Sequence, residues 1–224
     1  ETALNAFPAY YNQAQMYKDS TLVQVIQRSD SYRRKVWYDV LERQYTGKLP
    51  ENNWLDPDAD ISKWRNMQIP GFWSDAELAS FDGVVWFRKT IQLPPAQTGK
   101  QAKLILGRIV DADSVFVNGH FVGTTSYQYP PRRYDIPQNV LLAGENTIVV
   151  RVINERGRGG FFPDKPYRLE VGDQNIDLTG DWTYRPGTQM PPLSPQTFIR
   201  WKPLGLYNAM IAPLTDYRIT GVIW

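Results

Sequence analysis

Cysteine is absent from this 224-residue sequence and histidine occurs once. Without thiols, disulfides and thiolate metal sites are excluded, and the redox compartment leaves no mark. A Ser-His-Asp triad would have to use His120, which follows the turn of a VNGH hairpin; a hairpin-edge position shared with Val115 and Val122 is the plainer reading. No G-x-S-x-G nucleophile elbow occurs. No apolar run approaches the length of a membrane-crossing helix, so no membrane partner is expected. A surplus of one charge sign is missing too. The 25 basic and 23 acidic residues leave +2, which gives no reason to expect nucleic acid. Internal repeats and low-complexity tracts are also lacking.

What is present is aromatic and apolar. The composition is 42% hydrophobic and 13% aromatic, ordinary for a globular chain long enough to bury a sizeable core. Residues 83–154 organise it. GVVWFRKTIQLP, KLILGRIVDADSVFVNGHFVG and AGENTIVVRVIN are apolar runs of strand length punctuated by turn residues. In the first run Val85, Phe87, Ile91 and Leu93 share one face; Trp86, Arg88, Thr90 and Gln92 share the other. Leu104 to Ile109 reads as a second strand. Asn118-Gly119 predicts a two-residue type I′ hairpin pairing Val117 with His120, Phe116 with Phe121 and Val115 with Val122. A further hairpin is expected around Gly172-Asp173, then a strand over 181–185. The expected fold is mainly β, an antiparallel β-sandwich or jelly roll, with helical N-terminal and C-terminal flanks.

Three divisions are expected: a helical flank over 1–49, the jelly roll over 50–185, and a strap, helix and strand over 186–224. In the first, Pro8 interrupts a short helix. From Ser20, Leu22, Val25, Ile26, Tyr32, Val36, Trp37, Val40 and Leu41 recur at helical spacing, with Asp19 or Ser20 as cap and Gly47 with Pro50 as the stop. Residues 50–82 carry Trp54, Trp64 and Trp73 without a sustained period and read as an ordered loop with a helical turn over 74–79. The last division holds five prolines between 186 and 203. A helix through Leu206, Tyr207, Met210, Ile211 and Leu214 follows, then a strand, RITGVIW, expected either to be buried on the chain's own surface or to pair with a second copy as a homodimer. The opening ETALNAFPAYY is not a signal peptide, and the chain reads as an excised piece of a larger protein.

The most suggestive polar stretch is NERGRGGFFPDKPYR. From Arg151 to Arg168 there are five basic and two acidic residues. Guanidinium groups hold carboxylates in a fork and aromatic faces stack on sugar rings, so Arg156, Arg158, Phe161 and Phe162 are the candidate substrate-binding residues, facing an acidic glycan. The alternative is a flexible loop with ordinary charges and two core-anchoring phenylalanines. Trp86 is either a sugar platform or covered by the N-terminal helix. Asp56, Asp58 and Asp60 alternate as in a calcium loop but lack its glycine and distal glutamate. No metal ligand set and no cofactor follow from the sequence.

GVVWFRKTIQLP, the DSVFVNGHFVG hairpin and GENTIVVRV resemble the sugar-binding jelly roll of β-galactosidases and, more closely, the domain inserted in sialate O-acetylesterases. WLDPDADISKWRNMQIPGFW, IDLTGDWTYRPG and LYNAMIAPLTDYRITGVIW tip the resemblance towards the latter. That resemblance implies a galactose-binding-domain-like jelly roll and a parent SGNH-type serine ester hydrolase removing acetyl groups from sialic acids, secreted or periplasmic, with a sialoside and the rest of the hydrolase core as partners. The nucleophilic Ser and Asp-x-x-His of that family match no position in the chain, so no catalytic residue is assigned. The alternatives are a stand-alone carbohydrate-binding module, a domain that only shapes a neighbouring cleft, and the sugar-binding domain of a β-galactosidase-like glycoside hydrolase.

Overall fold

The computed structural model describes residues 2–44, 53–73, 78–214, 217, 218 and 221. They divide into two compact units, one from residues 1–38 with 194–224 and the other spanning Asp39–Leu193.

In the first unit a short 3-10 turn precedes α1 (Pro8–Met16), and α2 (Ser20–Arg43) begins there, its residues from Asp39 on belonging to the second unit. Pro8 does not interrupt α1; it starts it, because the first turn of a helix has no partner for the amide that proline lacks. Asp19 caps α2 as expected, its Oδ1 accepting the amides of Thr21 at 2.8 Å and Leu22 at 3.2 Å. The buried stripe of α2 is narrower than the apolar spacing implies. Trp37 and Leu41 are buried, whereas Val25, Tyr32 and Val36 are exposed. Asp30 takes a buried place on that stripe, accepting the Thr197 amide at 2.6 Å and a close bond from Arg33. Near the C-terminus, helical turns cover Tyr207–Ile211 and Ala212–Leu214, with Leu206, Tyr207, Met210, Ile211 and Leu214 exposed. The stop of α2 at Gly47 and Pro50, most of the turn over 74–79, and most of RITGVIW with the homodimer drawn from it lie outside the described residues.

The second unit is a β-sandwich. Its strands are β1 (Arg65–Ile69), β2 (Gly71–Phe72), β3 (Gly83–Leu93), β4 (Ala102–Leu106), β5 (Ile109–Val110), β6 (Ala112–Val117) and β7 (His120–Thr125). They continue as β8 (Arg133–Ile136), β9 (Gly144–Asn154), β10 (Gly160–Phe161), β11 (Tyr167–Val171), β12 (Gln174–Asp177) and β13 (Gly180–Gln189). A six-stranded antiparallel sheet in the order β1-β13-β3-β9-β6-β7 packs on a four-stranded sheet ordered β12-β11-β4-β8. Beyond the C-terminal end of β9 lies a small sheet, β2-β10-β5. The core between the layers holds Val85, Phe87, Ile91 and Leu93 of β3, Val150 and Val152 of β9, and Leu104, Leu106, Leu169 and Val171 of the facing sheet. Period-two alternation put those side chains inward, and truncating any of the fully buried leucines would cost about 2–5 kcal/mol.

Three departures from the sequence pattern have local causes. Leu104 to Ile109 is two strands, because Gly107 breaks the run at φ +52° under the ring of Tyr167; a Cβ there would stand 2.4 Å from the ring. The β6–β7 hairpin turns at Asn118 (φ 48°) and Gly119 (φ 77°), and pairs Val117 with His120 and Phe116 with Phe121. Val115 then pairs with Gly123, not Val122, through a bulge. Gly123 is needed at that place because a Cβ would meet the Tyr134 ring at 2.2 Å. Finally, residues 65–72 hold two strands inside the expected loop, and β13 runs on to Gln189, with Pro186 next to a register shift where a missing amide is tolerated.

The outward face of the large sheet is covered around Trp86. Trp86 has no exposed surface; Trp54 packs edge-on against it at 5.7 Å and against Trp64 at 5.8 Å. Arg185 lies over Trp54 at 4.9 Å. Arg88 donates to the carbonyl of Asp56 at 2.7 Å, to that of Pro57, and to Thr147 Oγ1 at 3.3 Å. The loop carrying Trp54 is thus the direct cover of Trp86, while the last turn of α2 reaches the neighbouring Arg151 through Glu42 at 2.8 Å. Trp86 is not a sugar platform.

Candidate functional site

Antiparallel pairing of β4 with β8 and β11 brings the connections beyond Leu106, before Arg133 and before Tyr167 to one end of the sandwich. Gly107 sits between two of them. Its amide donates to Pro166 at 3.1 Å, and its carbonyl accepts the Arg132 amide at 2.8 Å. Tyr167 ties the third side, donating its hydroxyl to Phe162 O at 2.7 Å and Arg108 O at 3.2 Å; burial pushes that phenol well above its ordinary range.

A stack of charged and aromatic groups runs across this end. The Arg108 guanidinium lies 4.1 Å over the Phe162 ring and pairs with Asp164 at 2.8 Å. Phe162 meets Phe72 edge-on at 4.9 Å, and Arg158 lies 4.2 Å over Phe72. Guanidinium groups over ring faces gain from the ring quadrupole.

The loop that carries Arg156 and Arg158 is built, not slack. Asp82 Oδ1 accepts the Gly157 amide at 2.8 Å and the Asn154 side chain at 3.0 Å. Asp111 Oδ2 accepts the Glu155 amide at 2.9 Å. Gly159 lets the Trp73 ring lie against the backbone, since a Cβ would fall 2.0 Å from that ring. Burial holds the Asp82 carboxyl above its usual range, against the opposing pull of the Gly157 amide and the Arg156 charge.

Of the four residues singled out from the sequence, Arg156 and Arg158 are exposed on this turn and Phe162 is half-buried in the stack. Phe161 is not a surface contact. It is wholly buried in the core, edge-on to Phe87 at 4.9 Å and near Tyr167 and Trp182. Two adjacent phenylalanines in a strand point to opposite faces, so only one could stay outside. His120 is exposed at the far end of β6 from this site. The aspartates of 56–60 make local turns: the Asp58 amide donates to Asp56 Oδ1 at 3.0 Å and the Ser62 amide to Asp60 Oδ1 at 2.9 Å. Arg88 takes two carbonyls of that loop, and among the described residues no cluster of three or more His, Cys, Asp or Glu could hold a metal ion.

Sequence reasoning missed Arg108, Tyr127 and Tyr129. The two tyrosines, each 57% exposed, pair edge-on at 5.1 Å in the connection before β8. The signal was the spacing in SYQYPP, two aromatics one residue apart in a proline-ended turn.

A family model described as the sugar-binding domain of the glycosyl hydrolases of family 2 matches residues 12–176. The chain belongs to this family. The matched span contains the jelly-roll motifs and every loop of the site, and it overturns the resemblance to sialate O-acetylesterases. With it go the SGNH-type serine ester hydrolase parent, the acetyl-ester substrate and the sialoside and hydrolase-core partners. The sugar-binding domain of a glycoside hydrolase, one of the alternatives, is the reading the match supports. A β-glucuronidase of Formosa agariphila is 30% identical over 83 residues, covering 37% of this chain and 8% of that protein. Among solved structures, a glycosyl hydrolase family 2 member of Bacteroides cellulosilyticus is 24% identical with a TM-score of 0.43, over 58% of this chain and 18% of that one. A β-glucuronidase of an uncultured Clostridium is 21% identical with a TM-score of 0.43, over 49% and 20% respectively. The family 2 domain therefore corresponds to a small part of these longer relatives. Among its described residues no helix is long and apolar enough to cross a membrane.

Proposed function

We propose that the chain is the accessory sugar-binding domain of a β-glucuronidase-like glycoside hydrolase, and that Arg156 and Arg158, beside Phe162, meet the carboxylate of a uronic acid. The observation that carries this reading is the family match over residues 12–176, whose span takes in the whole guanidinium–aromatic stack. A β-glucuronidase among the relatives supports a uronic acid as the sugar. Glycoside hydrolysis uses two carboxyl groups flanking the bond to be cut. At this end of the sandwich Asp82 and Asp111 are spent on loop amides and Asp164 on Arg108, which supports a binding role without catalysis.

Calorimetric titration with methyl β-glucuronide and methyl β-galactoside tests the proposal. Saturable binding of the glucuronide, at least several-fold tighter than the galactoside and lost in an Arg156→Ala/Arg158→Ala variant, is the expected result. Equal binding of both sugars, or indifference to the double substitution, would overturn it.

A further inference from the structure

We infer that Tyr127 and Tyr129 form a stacking platform for a second pyranose ring, at the same end of the sandwich as the arginine stack. The inference rests on the sugar-binding reading above and extends it from one ring to two.

Both tyrosines are 57% exposed, although tyrosine usually buries its ring and wets only its hydroxyl. Their centroids are 5.1 Å apart with planes at 61°, so the pair forms an open angle and not a closed stack. An apolar C–H face of a sugar fits such an aromatic surface, and the phenol groups can reach its hydroxyls.

The loop that shows these rings is fixed at its base by a buried polar network. Arg132 has no exposed surface and donates to Pro130 O at 2.8 Å, Ile109 O at 2.7 Å, Asp111 O at 3.1 Å and Asp113 Oδ1 at 2.6 Å. Tyr134, also buried, donates to Asp113 and shares a 2.9 Å hydrogen bond with Thr125 Oγ1. Both ends of residues 126–131 are therefore tied to strand ends, and two consecutive prolines, Pro130 and Pro131, stiffen the exit. A loop ordered before the ligand arrives loses little entropy on binding. The same Arg132 connects the platform to the arginine stack. Its amide bonds Gly107 O, and Gly107 precedes Arg108.

The test is a titration of the chain with glucuronic acid and with a glucuronic acid-terminated disaccharide, for the wild type, Tyr127→Ala/Tyr129→Ala and Arg156→Ala/Arg158→Ala. The wild type should prefer the disaccharide. The tyrosine variant should lose about three- to tenfold of that preference, with an unchanged thermal midpoint because exposed rings are removed. Tyr→Phe substitutions should retain most of it. The arginine variant should weaken both ligands together. A tyrosine variant that keeps the full preference, while the wild type binds both ligands, would overturn the platform and leave the arginine site standing. A wild type that binds neither ligand would overturn the sugar-binding reading and the platform with it.

Discussion

Asp113 and Arg132 form an ion pair at 2.6 Å with both side chains entirely out of solvent. Burial raises the Asp113 carboxyl from its ordinary range, and Arg132 and Tyr134 oppose that shift. Removing one partner strands the other. Arg132→Ala should cost about 3–5 kcal/mol in urea unfolding, and a paired replacement by apolar residues of similar volume should recover much of the loss. Equal losses in the single and double variants would show that the pair itself is not what matters.

Asn118 does more than turn the hairpin. Its side chain donates to Val140 O and Asn146 Oδ1 and accepts the Thr147 amide, each at 2.8 Å. Asn118→Gly keeps the positive φ and loses these bonds, so it should still cost about 2 kcal/mol by denaturant titration. A neutral outcome would reduce Asn118 to a turn residue.

Asp82 gives a pH dependence whose sign follows from its raised carboxyl. A carboxyl that holds its proton more tightly in the fold contributes most stability at low pH. That contribution is lost as pH rises from about 3.9, the unfolded value, through the higher folded one. Asp82→Asn lacks this loss, so its stability relative to the wild type should rise with pH across that window and be level above it. Thermal melts of both proteins in steps from about pH 3.5 to 7 would check it. A difference that falls with pH would reverse the assignment.

Asp164 occupies the Arg108 guanidinium at 2.8 Å, so on the proposed reading it would compete with a ligand carboxylate for that group. Because both side chains are partly exposed, at 19% and 46%, Asp164→Ala should change stability by less than about 1 kcal/mol. It should tighten glucuronide binding several-fold, read by calorimetry. Weaker binding would mean that Asp164 positions the guanidinium and does not block it.

The layered core was legible because it depends on alternation along single strands. Val85, Phe87, Ile91 and Leu93 needed only period two, and Asn118-Gly119 only its own φ angles. What stayed hidden depended on partners distant in sequence. The bulge at Gly123 exists because of Tyr134, the break at Gly107 because of Tyr167, and the close backbone at Gly159 because of Trp73. Phe161 and Phe162 are chemically identical neighbours, and only the three-stranded pairing around Gly160 and Phe161 says which one enters the core. The family was misjudged for a related reason. Motifs such as VFVNG and GENTIVVRV specify a jelly roll, while of the three stretches that tipped the reading, residues 206–224 and nearly all of 176–187 lie beyond the matched 12–176.

Arg88 adds a last point about the loop over Trp86. The charge that gathers the carbonyls of Asp56 and Pro57 belongs to β3 by covalent bonds. The cover stays fastened as long as β3 keeps its place between β9 and β13, and it parts from the sheet when that strand does.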